Sequence, residues 1–228
     1  MPSFDIIKNW VPEQSFRTES IKSQFTLQDV KLQKRFTGSI PIEGTDWKIG
    51  LIVGKSGTGK SSIAKQQWPN EYIKELQYTA SNFVNDFPKE CSISEITTAL
   101  CNVGFASPPD WLKKYDALSQ GEKMRVDLAR ALCLPQKLIV FDEFTSVIDR
   151  EIAKVASLAI NKAIKHSDKQ FIAVTCHYDI EEWLQPDWVF YTDTMTFDNK
   201  KKEPAQKLNL QSMNAQGQCG KPLGNIII

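Results

Sequence analysis

The octapeptide GKSGTGKS, Gly54 to Ser61, limits what this chain can fold into more than any other stretch of it. It fits the G-x-x-x-x-G-K-[ST] spacing of a phosphate-binding loop. Glycines at these positions let consecutive backbone N–H groups turn inward around a polyphosphate, and a helix starting at the lysine adds the positive end of its dipole. Such a loop works only between a buried strand and a helix. Both are legible: WKIGLIV, residues 47–53, is an apolar run of strand length, and Lys60 to about Gln67 suits a helix that Pro69 stops. In this reading Gly54, Lys55, Ser56, Gly57, Thr58, Gly59 and Ser62 surround the phosphates. Lys60 bridges the β- and γ-phosphates, and the Ser61 hydroxyl binds Mg²⁺. A glycine-rich turn without ligand is the competing explanation.

Bulk properties narrow the setting. At 228 residues, with 41% hydrophobic and 24% charged residues, the chain suits one α/β domain with at most a small appendage. Its longest uncharged apolar runs, such as residues 49–54 and 138–141, fall far short of the roughly 20 residues that cross a bilayer, so membrane insertion is not expected. No signal peptide is visible at the N-terminus. Five cysteines without a CxxC pair read as reduced thiols of a cytoplasmic protein. A net charge of +1 gives no warrant for a nucleic-acid surface.

Periodicity supplies the architecture. FTLQDV, FTGSIPI and WKIGLIV read as three successive strands from residue 25. Ser92 is a plausible cap for a helix over 92–103, and Ser107-Pro108-Pro109 a rigid break. EKMRVDLARALCL is amphipathic and ends before Pro135. KLIVFDE and FIAVTCH read as buried parallel strands, residues 149–165 as a long helix, and DWVFYTD as an edge strand. Alternating strands and helices imply an α/β fold with a mostly parallel central sheet. After about Asn199 the composition becomes polar, which suggests a tail or linker over 199–228. The lysines at 200–202 read as solvated tail or, alternatively, a nucleic-acid contact.

Two further motifs carry chemistry. Asp142 ends the run IVFD, and a carboxylate at the carboxyl end of a buried parallel strand points into the ligand crevice, where it can hold Mg²⁺ through a water. Glu143 can then face the γ-phosphate as general base. Two acids after a strand can also be a solvated turn. ALSQGEK, Ala117 to Lys123, opens the helix that follows; taken alone, Ser119 could be a plain helix cap.

Gly54–Ser61, Leu118–Glu122 followed by DLARAL, Asp142-Glu143, SVID at Ser146–Asp149, and His177 occur in that order. This order resembles the ATP-binding-cassette (ABC) ATPases over roughly residues 25–195. The resemblance implies a P-loop NTPase fold over residues 1–198. It adds an antiparallel β subdomain and a reduced helical subdomain at about 88–134, because only 57 residues separate Ser61 from Ser119. It also implies Mg-dependent ATP hydrolysis by a head-to-tail homodimer. Ser119, Gln120, Gly121 and Glu122 would then touch ATP held by the other subunit. His177 would orient the attacking water, and Asp149 would shape the partner's water site or simply cap the next helix. Phe36 is the candidate for stacking on adenine, or else a core aromatic.

Departures from the family pattern qualify that picture. Gln120 stands where the family has a second glycine, and Asn85 or Asp86 is the best substitute for a glutamine-loop residue. Segments such as SPPDWLKKYDALSQGEK and FDEFTSVIDR resemble non-transporter cassettes found alone or joined to an acetyltransferase-like domain. Two alternatives therefore stand beside the ATPase: a nucleotide-gated module regulating a partner protein or DNA, and, ranked last, the ATPase subunit of a transporter.

Overall fold

The five residues Ile49–Val53, strand β3, are all buried. A strand that is apolar on both faces has to lie inside a sheet covered on both sides. β3 does so, pairing in parallel with β6 (Gln170–Thr175) and β7 (Trp188–Tyr191). In this computed structural model, which describes residues 3–27 and 32–201, β4 (Tyr72–Ile73) and β5 (Leu138–Phe141) extend the sheet beyond β6. β8 (Thr196–Asn199) closes the opposite edge, giving the order β4-β5-β6-β3-β7-β8. All neighbours are parallel except β7 and β8. The crossovers place the carboxyl ends of β3, β5 and β6 side by side, where open parallel sheets bind ligands.

Each face of the sheet has its own core. On one, α3 (Ile93–Asn102), α5 (Gln120–Cys133) and α6 (Arg150–Lys165) bury Leu100, Leu128 and Ile160 against Leu51 and Phe171. On the other, α2 (Lys60–Gln67) packs with a separate antiparallel pair, β1 (Ser3–Trp10) and β2 (Leu32–Ser39). Phe4 of β1 meets Phe190 of β7 edge to face at 5.7 Å, which fixes the pair on the sheet. Gly50 has to be glycine, because a Cβ there would lie 2.1 Å from the Trp188 ring.

Local signals account for the helices read from the sequence. Ser92 and Ser119 each form a capping box with a glutamate three residues on, and Asp149 accepts from the Ile152 N–H at the start of α6. Pro108 and Pro109 do more than break the chain: they occupy the first turn of a short helix, α4 (Pro108–Trp111), where a missing N–H costs nothing.

Elsewhere the structure departs from the expectation. Residues 25–27 are not strand: Phe25 caps α1 (Phe16–Gln24) and Thr26 has φ +53°, while residues 28–31 lie outside the described residues. The first two strands are instead β1 and β2, with α1 between them. α1 buries none of its residues, so it carries no apolar stripe by which a helix is recognised. DWVFYTD is not an edge strand, because β8 turns back and pairs with it. β8 also crosses the expected boundary at residue 198. Lys200 pairs with Glu181 and Asp198, and Lys201 with Asp46 and Asp187, so these two lysines are neither a free tail nor a free basic patch. Lys202 and the rest of the expected tail lie outside the described residues.

Candidate functional site

The loop after β3 turns through Gly57 (φ +80°) and Gly59 (φ +93°), conformations that residues with a Cβ rarely adopt. Gly59 is the N-cap of α2 and supplies no side-chain hydrogen bond, which leaves the first-turn N–H groups facing outward without a side-chain cap. The Lys60 ammonium bends back over the loop and donates to the carbonyls of Gly54 and Lys55, at 2.8 Å each. Thr58 instead points away, sharing a hydrogen bond with Thr192 at 2.6 Å that ties the loop to the end of β7. First-turn N–H groups without a side-chain cap, with an ammonium over the loop, fit a polyphosphate.

β5 delivers two acids to the same crevice with opposite environments. Asp142 is 3% exposed, and the Ser61 hydroxyl donates to its Oδ1 at 3.2 Å. The Tyr72 hydroxyl donates to Oδ2. Burial and the adjacent Asp142 carboxylate push the Tyr72 phenol well above its ordinary pKa, so it stays a donor. Glu143 is exposed, lines the cavity over the loop and holds φ +54°. A buried carboxylate beside a serine hydroxyl is an all-oxygen donor set, the kind a hard cation such as Mg²⁺ takes.

His177 follows β6 and is half-buried, its N–H donating to Thr175 Oγ1 at 3.2 Å. Burial first, and Arg150 second, lower its pKa, while Glu143 and Lys60 are close enough to act on it electrostatically. Arg150 is held by Asp179 and lies 5.1 Å over the Trp183 ring. Lys60, Ser61, Asp142, Glu143 and His177 therefore come together, although up to 117 positions of sequence separate them.

The cavity itself measures about 280 Å³ and is lined by the loop residues Ser56, Gly57, Gly59, Lys60, Ser61 and Ser62, by Glu143, and by Lys8, Trp10, Lys34 and Phe36 of the β1–β2 pair. The last group divides sharply. Phe36 is 8% exposed and packs against Gly59, so it is a core ring forming the cavity floor. Trp10 is 46% exposed at the rim. Lys8 and Lys34 stand directly opposite each other across the two strands. Trp10 and Lys8 escape a reading of the fold that begins at residue 25, and the signal that points to them is SFDIIKNW, a partly buried strand ending in an aromatic; Lys34 falls in the gap between the strands expected at 25–30 and 36–42 and carries no signal of its own.

Ser119 and Gln120 are exposed, and no residue of 118–122 lines this cavity. Ser119 caps α5, its N–H donating to Glu122 Oε2 at 2.7 Å; that bond and the one to the Ser119 hydroxyl hold the Glu122 carboxyl below its usual pKa. Gly121 is buried against Ile152 of α6. Asp149 is exposed at the start of α6. Asn85 and Asp86 sit in a 3-10 turn, where the Asp86 carboxylate accepts from Thr79 and Ala80 N–H groups. The segment leaving β4 beside the acids is Lys74 to Gln77.

A strand, a glycine loop and a helix, with an acid at the end of a neighbouring parallel strand, define a P-loop nucleoside triphosphatase. The chain belongs, within that class, to the ABC ATPases, the ATP-binding and ATP-hydrolysing cassettes. The ABC transporter family model matches residues 66–146. The energy-coupling factor transporter ATP-binding protein EcfA1 of Staphylococcus aureus (strain MSSA476) is 30% identical over 212 residues, covering 77% of this chain and 74% of that protein. EcfA1 of Mycoplasmopsis pulmonis (strain UAB CTIP) is 28% identical over 225 residues, covering 91% and 78%. Among solved structures, the dimeric structure of a bacterial ABC transporter cassette superposes with a TM-score of 0.57 at 15% identity, covering 78% of this chain and 95% of that one. A bacterial Atm1-family ABC exporter with ATP bound gives 0.54 at 18% identity, covering 67% and 34%. Among the described residues no helix is long and apolar enough to cross a membrane.

Proposed function

We propose that this chain hydrolyses Mg-ATP as a head-to-tail homodimer in which each nucleotide is enclosed by the phosphate loop of one subunit and the Ser119 helix start of the other. The observation that carries the reading is the separation within one chain: the loop, Asp142, Glu143 and His177 share a crevice, while Ser119 and Gln120 are exposed elsewhere and Gly121 is buried behind them. A helix start that faces solvent with its serine exposed is suited to an anion that another subunit holds.

The roles follow from the local chemistry. Lys60 leaves the carbonyls of Gly54 and Lys55 for the β- and γ-phosphates. Ser61 and Asp142 hold Mg²⁺, which when bound supplies charge neutralisation at the phosphates. Glu143, exposed and held forward by its left-handed backbone, takes the proton of the attacking water. His177, largely neutral at pH 7 because its pKa is lowered, is free to accept or share a hydrogen bond at the γ-phosphate end. Trp10, rather than Phe36, offers an open ring to adenine. Asp149, beside Ser146, lies at the edge facing the second subunit.

Replacing Glu143 with Gln tests this directly. Turnover is expected to fall by about 10²–10⁴-fold, with a dimer trapped by ATP in size-exclusion chromatography; an active monomer overturns the reading. Phosphate release at blank level for the unaltered protein, with and without DNA, would favour the nucleotide-gated module instead.

The EcfA1 relatives favour a second reading that the sequence alone ranked last: the same cassette serving as the ATPase subunit of a transporter. The membrane part would then be another chain, docked on the small helical subdomain of α3, α4 and α5. Stable co-purification with a membrane protein from native membranes separates this from the non-transporter reading.

A further inference from the structure

β4 contains two residues, and its register against β5 is fixed: Tyr72 pairs with Val140 and Ile73 with Phe141. Backbone bonds on either side lock it, from Val140 N–H to Glu71 O at 3.0 Å and from Asp142 N–H to Ile73 O at 2.8 Å. That register packs the partly buried Tyr72 ring against the core that includes Ile63 and Ala64 of α2 and puts its hydroxyl on Asp142 Oδ2. Asp142 thus has both carboxylate oxygens engaged, Oδ2 by Tyr72 and Oδ1 by Ser61. At 3% exposure it has almost no water to replace either partner.

The two partners are not equivalent. Ser61 begins α2, belongs to the phosphate loop and is itself a metal ligand in the reading above. If Ser61 turned to a bound cation it would release Oδ1, the oxygen it occupies here. Tyr72 belongs to the sheet, has no such second task, and keeps Oδ2. A carboxylate held at one oxygen resists rotation about its Cβ–Cγ bond to follow the departing serine, so the freed Oδ1 would keep its place and be available as a cation ligand.

We infer that Tyr72 is a positioning residue for the divalent cation: its hydroxyl holds Asp142 in the rotamer that receives Mg²⁺. This rests on the assignment of Asp142 as the carboxylate that holds Mg²⁺. The test is Tyr72→Phe, which keeps the partly buried ring and deletes only the hydroxyl, measured beside Asp142→Asn. The readout is the Mn²⁺ concentration at half-saturation of the protein–ATP complex, followed by the loss of the free Mn²⁺ signal in electron paramagnetic resonance, together with ATP affinity in EDTA and thermal unfolding. Tyr72→Phe is expected to raise the Mn²⁺ midpoint about tenfold while leaving cation-free ATP affinity within about twofold of the unaltered protein. If Asp142→Asn raises the midpoint and Tyr72→Phe does not, the positioning role is wrong and the Mg²⁺ assignment survives. If Asp142→Asn itself leaves the midpoint unmoved, the Mg²⁺ assignment fails. A Tyr72→Phe protein that loses ATP affinity in EDTA to the same degree as Mn²⁺ affinity has a general packing defect, and the inference is overturned.

Discussion

The Phe36 ring lies against Gly59 so closely that a Cβ at position 59 would come within 2.8 Å of it. The phosphate loop is thus braced from outside by β2, and the glycine is required twice, for φ +93° and for the contact. Gly59→Ala should lower unfolding stability by about 1–3 kcal/mol, read by urea denaturation, and weaken ATP binding because the loop cannot keep its turn.

The two aromatics of the cavity should separate cleanly on substitution. Phe36→Ala removes a buried ring and should cost about 3 kcal/mol of stability. Trp10→Ala removes an exposed one; it should leave the unfolding midpoint nearly unchanged and raise the ATP dissociation constant about tenfold, the scale of one lost base stack. Equal effects on affinity from both, with no loss of stability from Phe36→Ala, would return adenine stacking to Phe36.

Glu143 holds φ +54°, a conformation that costs a residue with a Cβ on the order of 1 kcal/mol. Glu143→Gly should therefore be more stable than Glu143→Gln by about 0.5–1 kcal/mol, while both lose turnover. Chemical denaturation of the two variants side by side checks it.

Asp127 on α5 gives a pH signature. Burial raises its pKa to about 6, although the Tyr115 hydroxyl donates to it at 2.8 Å and Arg130 opposes the shift; Tyr78 and Glu75 are the other groups facing it. The folded chain binds this proton more tightly than the unfolded one. Its stabilising contribution is therefore full below the ordinary value of 3.8 and is lost as pH rises through about 6. Asp127→Asn, whose carbonyl can still accept from Tyr115, should flatten that part of the stability profile. At pH 7 it should gain on the order of 2 kcal/mol, measured by denaturation at pH 4, 5, 6 and 7.

The head-to-tail arrangement predicts complementation in trans. Lys60→Ala and Ser119→Arg proteins should each be inactive alone. Mixed in equal amounts they should regain about a quarter of normal turnover, because half the dimers are mixed and each of those has one intact site. No recovery on mixing, with dimers formed, would place both residues in the same site.

What the sequence determined by itself was everything encoded within a few consecutive residues. The glycine spacing of 54–61 and the caps at Ser92, Ser119 and Asp149 specify their geometry locally, because a contact with a neighbour about three residues away needs no other part of the chain; the apolar runs of β3, β5 and β6 declare burial by composition, although their hydrogen bonds go to other strands. The family order of motifs then implied the crevice. Both Phe36 and Trp10 line the cavity, and only the tertiary structure decided that Trp10 is the one with an exposed ring, since burial is not written in either residue's type. It also decided that β8 covers β7, that Lys200 and Lys201 are paired, and that Tyr72 reaches Asp142. That last contact joins residues 70 positions apart. It exists because a two-residue strand settles in one register at the sheet's edge, and that register is fixed by backbone bonds to β5 rather than by anything written near residue 72.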